Sequence, residues 1–281
     1  MRTMLDRWYM MVLGMLGVVA AGCASGQGRF SAPTLSGHGV VFYCDGAGGG
    51  GITNWGPGVK KGLADAGFTG TFDEFDWETG LGVVADQIEA VKAKRAQAKK
   101  LANKIVSYQS EDPNSPVTVM GLSAGTAIAV YALEELPPAN QVDTVVLLSS
   151  SVASDHNLTQ ALRHVRGDLY VTTSPDDAIL TTAVPVLGSA DRQFVGTDVA
   201  GLDGFQMPPG ASPEVRRLYS KVVVLAWDPQ DDRYGDYGGH TDTTKPGFIQ
   251  HVIAPLVMGE GPRYVHVHSQ GTARTYTGAM E

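Results

Sequence analysis

Short apolar runs alternate along the chain with longer stretches in which apolar residues recur at helical spacing. Runs rich in valine and leucine, bounded by turn residues, are typical of strands buried on both faces of a parallel sheet. Six candidate strands begin near residues 39, 68, 117, 143, 168 and 221, and the clearest helical stretches are 55–66, 84–108, 126–136 and 245–258. This alternation predicts an α/β fold, a three-layer sandwich in which a mostly parallel sheet of about six strands is flanked by helices.

The second candidate strand differs from the others in its pattern. Residues 68–76 alternate apolar and polar side chains, which is typical of a strand with one solvated face at the edge of a sheet. Residues 181–219 have no clear pattern and are rich in Gly, Pro and Asp, so we expect an irregular segment there. The domain is expected to span residues 38–260, and residues 261–281 are expected to form a polar C-terminal tail.

Composition limits the classes of protein to consider. The chain has 281 residues, of which 43% are hydrophobic and 18% are charged, as in an ordinary globular domain. Its net charge of −8 argues against a nucleic-acid partner. The one conspicuous basic run, 92–100, lies within a helical pattern and is explained as the solvated face of that helix.

The pattern of residues 1–22 predicts an export signal and not an element of the fold. Two arginines precede an apolar stretch, 9–21, that is short for a membrane span. The small residues that lead to Cys23 resemble a bacterial lipobox, in which the cysteine becomes the lipidated first residue of the mature protein. Ala20 stands where the lipobox prefers leucine, which leaves ordinary signal cleavage as the alternative. The resemblance implies a protein of the bacterial cell envelope, lipid-anchored to a membrane and facing the periplasm or exterior.

Residues 23–37 are expected to form a flexible tether between this anchor and the domain. The mature chain then contains one other cysteine, Cys44, so a disulfide framework is excluded. Cys44 ends an apolar run and is best explained as a small buried hydrophobic residue.

A serine stands between the third candidate strand and the helical stretch that follows it. The sequence there is Gly121-Leu-Ser-Ala-Gly125. Glycines at both ends suit a sharp turn, because they place no Cβ where strand and helix approach closely. Ser123 would then project at the carboxyl end of the strand, above helix amides that favour negative charge. A glycine-rich turn with a solvated serine is the alternative, but the flanking strand and helix favour a functional role.

This arrangement resembles the nucleophile elbow of the α/β-hydrolase superfamily. The resemblance covers about residues 38–260 and implies a minimal core, since the usual antiparallel strand pair at the start and a long lid after the strand at 143 are both missing. It also implies an acid and then a histidine later in the chain. His240, within Gly238-Gly-His-Thr-Asp242, follows the last candidate strand, where the resemblance places the histidine.

The acid is expected after the fifth candidate strand. The sequence Ser174-Pro-Asp-Asp-Ala-Ile-Leu180 resembles the acid turn of the superfamily, and by that pattern Asp177 is the acid. Asp176 is then a turn residue or a cap. Asp155, after the preceding strand, is a third candidate.

The segment Asp45-Gly-Ala-Gly-Gly-Gly-Gly51 follows the first candidate strand and has three interpretations. Its glycine spacing matches a dinucleotide fingerprint, with Asp73 or Glu74 about 20 residues further on. It could also be a purely structural turn. We favour the third interpretation, the oxyanion loop of a hydrolase, because an exported protein meets little dinucleotide. The resemblance then assigns the oxyanion hole to the amides of Ala124 and of Ala47 or Gly48.

These features together predict a serine hydrolase. His240 would deprotonate Ser123, Ser123 would attack an ester or thioester carbonyl, and Asp177 would stabilise the imidazolium. No cofactor and no metal are implied, since His240 and Asp242 form no ligand set without a third partner. The expected partners are a small-molecule or lipid acyl substrate and the membrane; a fold and a triad do not define the acyl group. The alternative is a catalytically silent envelope lipoprotein that uses the same fold for binding.

Overall fold

The computed structural model describes residues 39–49, 53–192 and 198–261, together with the backbone of two terminal strands at 264–270 and 273–279. The signal peptide, Cys23 and the tether that the sequence predicts lie outside the described residues.

Eight strands in the described part of the chain form one sheet, in the order β2-β1-β3-β4-β5-β6-β8-β7. Their bounds are β1 Val40–Cys44, β2 Thr71–Glu74, β3 Val117–Leu122, β4 Thr144–Leu148, β5 Leu169–Thr173, β6 Val222–Ala226, β7 Tyr264–Gln270 and β8 Ala273–Ala279. Strands β1 to β6 are mutually parallel, and β2 lies at one edge, so the predicted parallel sheet and its edge strand are confirmed.

The C-terminal hairpin of β7 and β8 was not predicted from the sequence. Strand β8 pairs in parallel with β6 and antiparallel with β7, so the hairpin extends the sheet beyond the predicted domain boundary at 260. Half of its fourteen strand residues are polar, which is why the segment resembles a solvated tail in the sequence. An edge hairpin needs few apolar residues, because pairing along the backbone already places it in the sheet.

Helices cover both faces of the sheet. Their bounds are α1 Gly56–Asp65, α2 Val83–Ile88, α3 Val91–Glu111, α4 Gly125–Glu134, α5 Thr159–Arg163, α6 Val184–Leu187, α7 Ala200–Asp203, α8 Pro213–Tyr219, α9 Pro246–Phe248 and α10 Ala254–Val257. A wide turn, Ile179–Ala183, leads into α6, and another, Ile249–Ile253, joins α9 to α10. The second wide turn precedes Pro255, which has no N–H to continue an ordinary helical ladder.

The predicted helix 84–108 is divided into α2 and α3. Glu89 and Ala90 have extended backbones, with ψ angles of 140° and 138°. The buried Lys94 supports this break, because its ammonium group donates to the carbonyl of Gln87 (2.9 Å) and to that of Ala190 (2.8 Å). Nothing in the apolar spacing of the sequence signals the interruption.

Side chains of the central strands alternate between two apolar layers. On one face Val119 and Leu147 pack with α3, α4 and α5; on the other, Met120 and Leu148 pack with α1, α9 and α10. Helix α4 is buried along almost its whole length, which anchors the turn that precedes it. Cys44 is fully buried and unpaired, as the sequence indicates.

A buried charged cluster joins the end of α4 to the chain that follows α6. The two ring nitrogens of His156 each lie 2.9 Å from a carboxylate oxygen, Nε2 from Glu134 and Nδ1 from Asp191. Burial alone would lower the pKa of His156, but the two carboxylates outweigh it and raise that pKa to about 9. The imidazolium form therefore predominates at neutral pH and holds Asp191 against the core.

This cluster predicts a specific dependence of stability on pH. Because the folded-state pKa of His156 lies above its ordinary value of 6.5, the stabilisation is complete below about pH 6.5 and is lost as the pH rises through 9. We expect His156→Gln to lower the free energy of unfolding at pH 6.5 by at most roughly 3 kcal/mol. Urea titrations should show that the difference in free energy of unfolding between the variant and wild type becomes smaller towards pH 10.

The control is His251→Gln, since His251 is exposed and stacks on Tyr234 instead of contacting a carboxylate. This variant removes a histidine outside the charged cluster, so it controls for the loss of a histidine as such. A difference between His156→Gln and wild type that does not narrow towards pH 10 would contradict the assignment.

Candidate active site

Ser123 occupies a strained turn between β3 and α4. Its φ angle is +50°, in the left-handed region that side chains other than glycine rarely adopt. The surrounding backbone holds it there: its N–H donates to the carbonyl of Leu148 (2.9 Å), and its own carbonyl accepts from the amide of Thr126 (3.1 Å) and from the hydroxyl of the same residue. Such strain persists only where neighbouring contacts determine the conformation.

The two glycines of the turn allow close contacts that a side chain would block. A Cβ on Gly125 would overlap the carbonyl oxygens of Cys44 and Asp45, and a Cβ on Gly121 would lie 2.8 Å from the carbonyl of Gly125. The start of α4 is therefore pressed against the end of β1. This contact brings the loop after β1 beside Ser123.

Three side chains from the ends of β3, β5 and β6 meet at this turn. His240 Nε2 lies 2.8 Å from Ser123 Oγ, and His240 Nδ1 lies 2.7 Å from Asp177 Oδ2. Asp177 is 1% exposed and Ser123 is 8% exposed. The other oxygen of Asp177 accepts the amides of Ile179 and Leu180, each at 3.0 Å, so backbone contacts fix the orientation of this carboxylate.

A strained serine turn on a parallel sheet, followed in sequence by the acid and then the histidine, is the arrangement of one fold family. The chain has an α/β-hydrolase fold. Both alternative acids, Asp176 and Asp155, are exposed, and it is Asp177 whose carboxylate contacts His240.

The loop that carries His240 is held by residues that the sequence did not reveal. The amide of Gly238 donates to Asp236 Oδ1 (2.9 Å), and the carbonyl of Gly238 accepts the hydroxyl of Ser174 (2.8 Å). Trp227 Nε1 donates to the carbonyl of Asp236 (3.0 Å). Burial is the main cause that raises the pKa of Asp236 to about 7. An aspartate two residues before a glycine is a turn signal that could have drawn attention to it.

The loop after β1 is organised by two buried carboxylates. Asp45 accepts the hydroxyl of Tyr43 (2.9 Å) and the amides of Gly46 (2.8 Å) and Trp55 (2.9 Å). Asp86, from α2, accepts the amide of Gly48 at 2.8 Å. Of the candidate oxyanion donors, Gly48 is therefore already paired.

The other two candidate donors are unpaired. Within the described residues no acceptor bonds the amide of Ala47 or that of Ala124. Ala47 lines the cavity beside Ser123, and Ala124 directly follows Ser123 as the N-cap of α4. Asp86 was not identified from the sequence, because it lies 38 residues from the amide that it binds.

A cavity of about 450 Å³ opens beside Ser123 and His240. One wall is formed by the segment that follows Asp177, and another part of the lining is formed by Trp55 and the start of α2. Among the described residues there is no group of three or more histidine, cysteine or acidic side chains placed to hold a metal ion. In the same part of the chain, no helix combines the length and apolarity that crossing a membrane requires.

Comparisons with known proteins find similarity in structure alone. No protein-family model matches the sequence, and no curated protein matches it. A cutinase-like protein from Cryptococcus sp. is 17% identical with a TM-score of 0.42, over 79% of this chain and 95% of that one. An acetylxylan esterase is 15% identical with a TM-score of 0.42 over the same shares. The carboxylesterase CesB from Bacillus subtilis is 12% identical with a TM-score of 0.32, over 79% and 84%. The fold assignment rests on this chain's own sheet and turn.

Proposed function

We propose that this protein is a serine hydrolase that cleaves carboxylic esters. The observation that carries the proposal is the chain of two hydrogen bonds from Ser123 through His240 to Asp177, at 2.8 and 2.7 Å. A serine hydroxyl is barely ionised at neutral pH, so it becomes a nucleophile when a base accepts its proton. The base is oriented in turn by a carboxylate that the backbone holds.

The reaction follows from these positions. His240 Nε2 takes the proton of Ser123 as Oγ attacks the ester carbonyl carbon, and a tetrahedral intermediate forms. His240 then gives that proton to the departing alcohol oxygen as the ester C–O bond breaks, which leaves an acyl-serine. A water molecule then gives a proton to His240 and attacks the acyl carbon. The bond from that carbon to Ser123 Oγ breaks, the acid leaves, and His240 returns the proton to Oγ. Asp177 stabilises the imidazolium in both steps.

The amides of Ala124 and Ala47 are the proposed oxyanion donors. Gly48 is the weaker candidate, because its amide already donates to Asp86.

The contacts of Asp45 argue against the dinucleotide interpretation of the loop after β1. Its carboxylate binds the amides of Gly46 and Trp55, so a pyrophosphate would meet a buried negative charge where it needs free N–H donors.

The proposal is tested first at the nucleophile. Ser123→Ala should remove ester hydrolysis by several orders of magnitude and abolish covalent labelling by a fluorophosphonate probe, because no other group takes the place of the hydroxyl. Circular dichroism and thermal melting check that the fold is retained. A wild-type protein that neither hydrolyses esters nor reacts with the probe would support the silent binding lipoprotein instead.

The neighbouring aspartates provide a matched pair of variants. Asp177→Asn should lower turnover by on the order of 10⁴, because the amide favours the wrong tautomer of His240. Asp176→Asn should keep turnover near wild type, because Asp176 is exposed and its carboxylate does not contact the imidazole. Measured kcat in the reverse order would assign the acid to Asp176 and refute the proposed role of Asp177.

We also propose that Cys23 is lipidated and attaches the domain to a membrane of the cell envelope. The support is the sequence alone, in which small residues lead to this cysteine after an apolar stretch. In cells, Cys23→Ser should move the protein from the membrane fraction to the soluble fraction or leave the precursor unprocessed. A wild-type mature protein that is freely soluble, with no lipid at its N-terminus by mass spectrometry, would contradict this.

A further inference from the structure

We propose that the cavity beside Ser123 binds an unbranched aliphatic chain of the ester, and that Ala183 and Leu187 limit its length. This inference rests on the proposed ester hydrolysis. It adds the chemical class of the substrate, which neither a hydrolase fold nor a triad defines.

The segment after Asp177 presents an apolar face to the cavity, because its apolar residues recur at helical spacing. Ile179, Ala183, Val184 and Leu187 all line the cavity, and they recur at intervals that place them on one face of a helical segment. Trp55, Val83 and Leu122 also line the cavity, and Leu122 precedes the nucleophile. A cavity lined by such apolar side chains excludes water from a chain of methylene groups and binds it through the hydrophobic effect.

Several polar side chains of the lining are already paired with protein atoms. Gln87 Nε2 donates to the carbonyl of Gly188 (2.9 Å), and Asp242 Oδ2 accepts the amide of Gly239 (3.2 Å). No lysine or arginine belongs to the described lining, so an anionic substrate group would find no counter-charge there. A neutral aliphatic chain needs none of these contacts.

The size of the cavity also favours a chain longer than acetyl. Its volume of about 450 Å³ falls within the range of sites for drug-sized ligands, roughly 300–1,000 Å³. An acetyl group would leave most of that space empty. A chain of several methylene groups would fill it and gain affinity with each group that leaves water.

The apolar surface continues outward from the cavity. Six of the seven large exposed hydrophobic side chains in the described residues lie on 81–88 and 179–187, the segments that form the two walls. Val83 and Ile179 both line the cavity and reach the surface. Scattered exposed apolar residues need no explanation, whereas this concentration marks a binding surface. The end of a long chain can leave the cavity along it.

The distance between the walls is fixed by buried hydrogen bonds. Gln87 on α2 bonds to Gly188, just after α6. Lys94, which is fully buried, bridges the carbonyls of Gln87 and Ala190 at 2.9 and 2.8 Å. Because the walls are fastened to each other, the cavity has a definite width and depth, and a bulkier side chain inside it must shorten the chain that fits.

The test is a profile of kcat/KM against chain length. One series of p-nitrophenyl esters varies the acyl chain from acetyl to dodecanoyl, and a second series of acetates varies the alcohol. In one series kcat/KM should rise about threefold to fourfold per methylene until the cavity is full. The series that rises shows whether the chain belongs to the acyl or the alcohol part, and either result supports the proposal.

Two variants with opposite effects locate the site. Ala183→Phe should lower kcat/KM for the optimal long ester at least tenfold while acetate hydrolysis stays within about threefold, because the ring fills the space that the chain needs. Leu187→Ala should move the optimum to a longer chain. If the larger side chain at position 183 disturbs the fold, the Leu187→Ala variant still tests the proposal.

Thr182→Phe is the matched control, since Thr182 is the exposed neighbour of Ala183 and is not part of the lining. Its profile should match wild type. Flat wild-type profiles in both series, with hydrolysis still dependent on Ser123, would overturn the aliphatic site and leave the proposed function intact. If the wild type hydrolyses no ester in either series, the proposed function itself fails.

Discussion

The contact between Gly125 and the end of β1 determines the geometry of the site. Because Gly125 has no Cβ, the first turn of α4 lies directly against the carbonyls of Cys44 and Asp45. That contact places the start of α4 and the loop after β1 on either side of Ser123. Two backbone segments distant in sequence thus surround one hydroxyl, and burial of α4 along most of its length keeps them there.

Buried carboxylates shape the loops around this contact by binding backbone amides. Asp45 and Asp86 hold the loop after β1, Asp177 holds the turn after β5, and Asp236 holds the turn before His240. A carboxylate that accepts backbone N–H groups can be buried at tolerable cost, because those bonds replace its hydration. The glycines in these turns would otherwise leave the backbone free to adopt many conformations.

The parts of the structure that follow from local pattern could be predicted. The apolar runs that became β1 and β3 to β6, the alternating pattern of β2, the serine turn and the loop histidine all carry their signal within a few residues. The carboxyl ends of parallel strands share one edge, so strand-end residues such as Ser123 and Asp177 could be expected to meet.

The parts that depend on distant contacts could not be predicted. The break before α3 is stabilised by Lys94 bonding to a carbonyl 96 residues away, and the periodicity of the sequence continues across it. The role of Asp86 could not be predicted from the sequence, because it depends on the fold, which places α2 beside Gly48. The hairpin of β7 and β8 is fixed by backbone pairing with β6, which a half-polar sequence does not signal.

Helix α2 links the two halves of the proposed chemistry. Asp86 on α2 holds Gly48, the residue next to the proposed oxyanion donor Ala47, while Val83 and Gln87 on the same six-residue helix line the cavity. Gln87 also fastens α2 to the segment after α6 through Gly188. A chain that fills the proposed site would therefore contact the element that positions the proposed oxyanion loop. Binding energy from the chain, remote from the reacting carbonyl, can in this way support the geometry in which the oxyanion is stabilised.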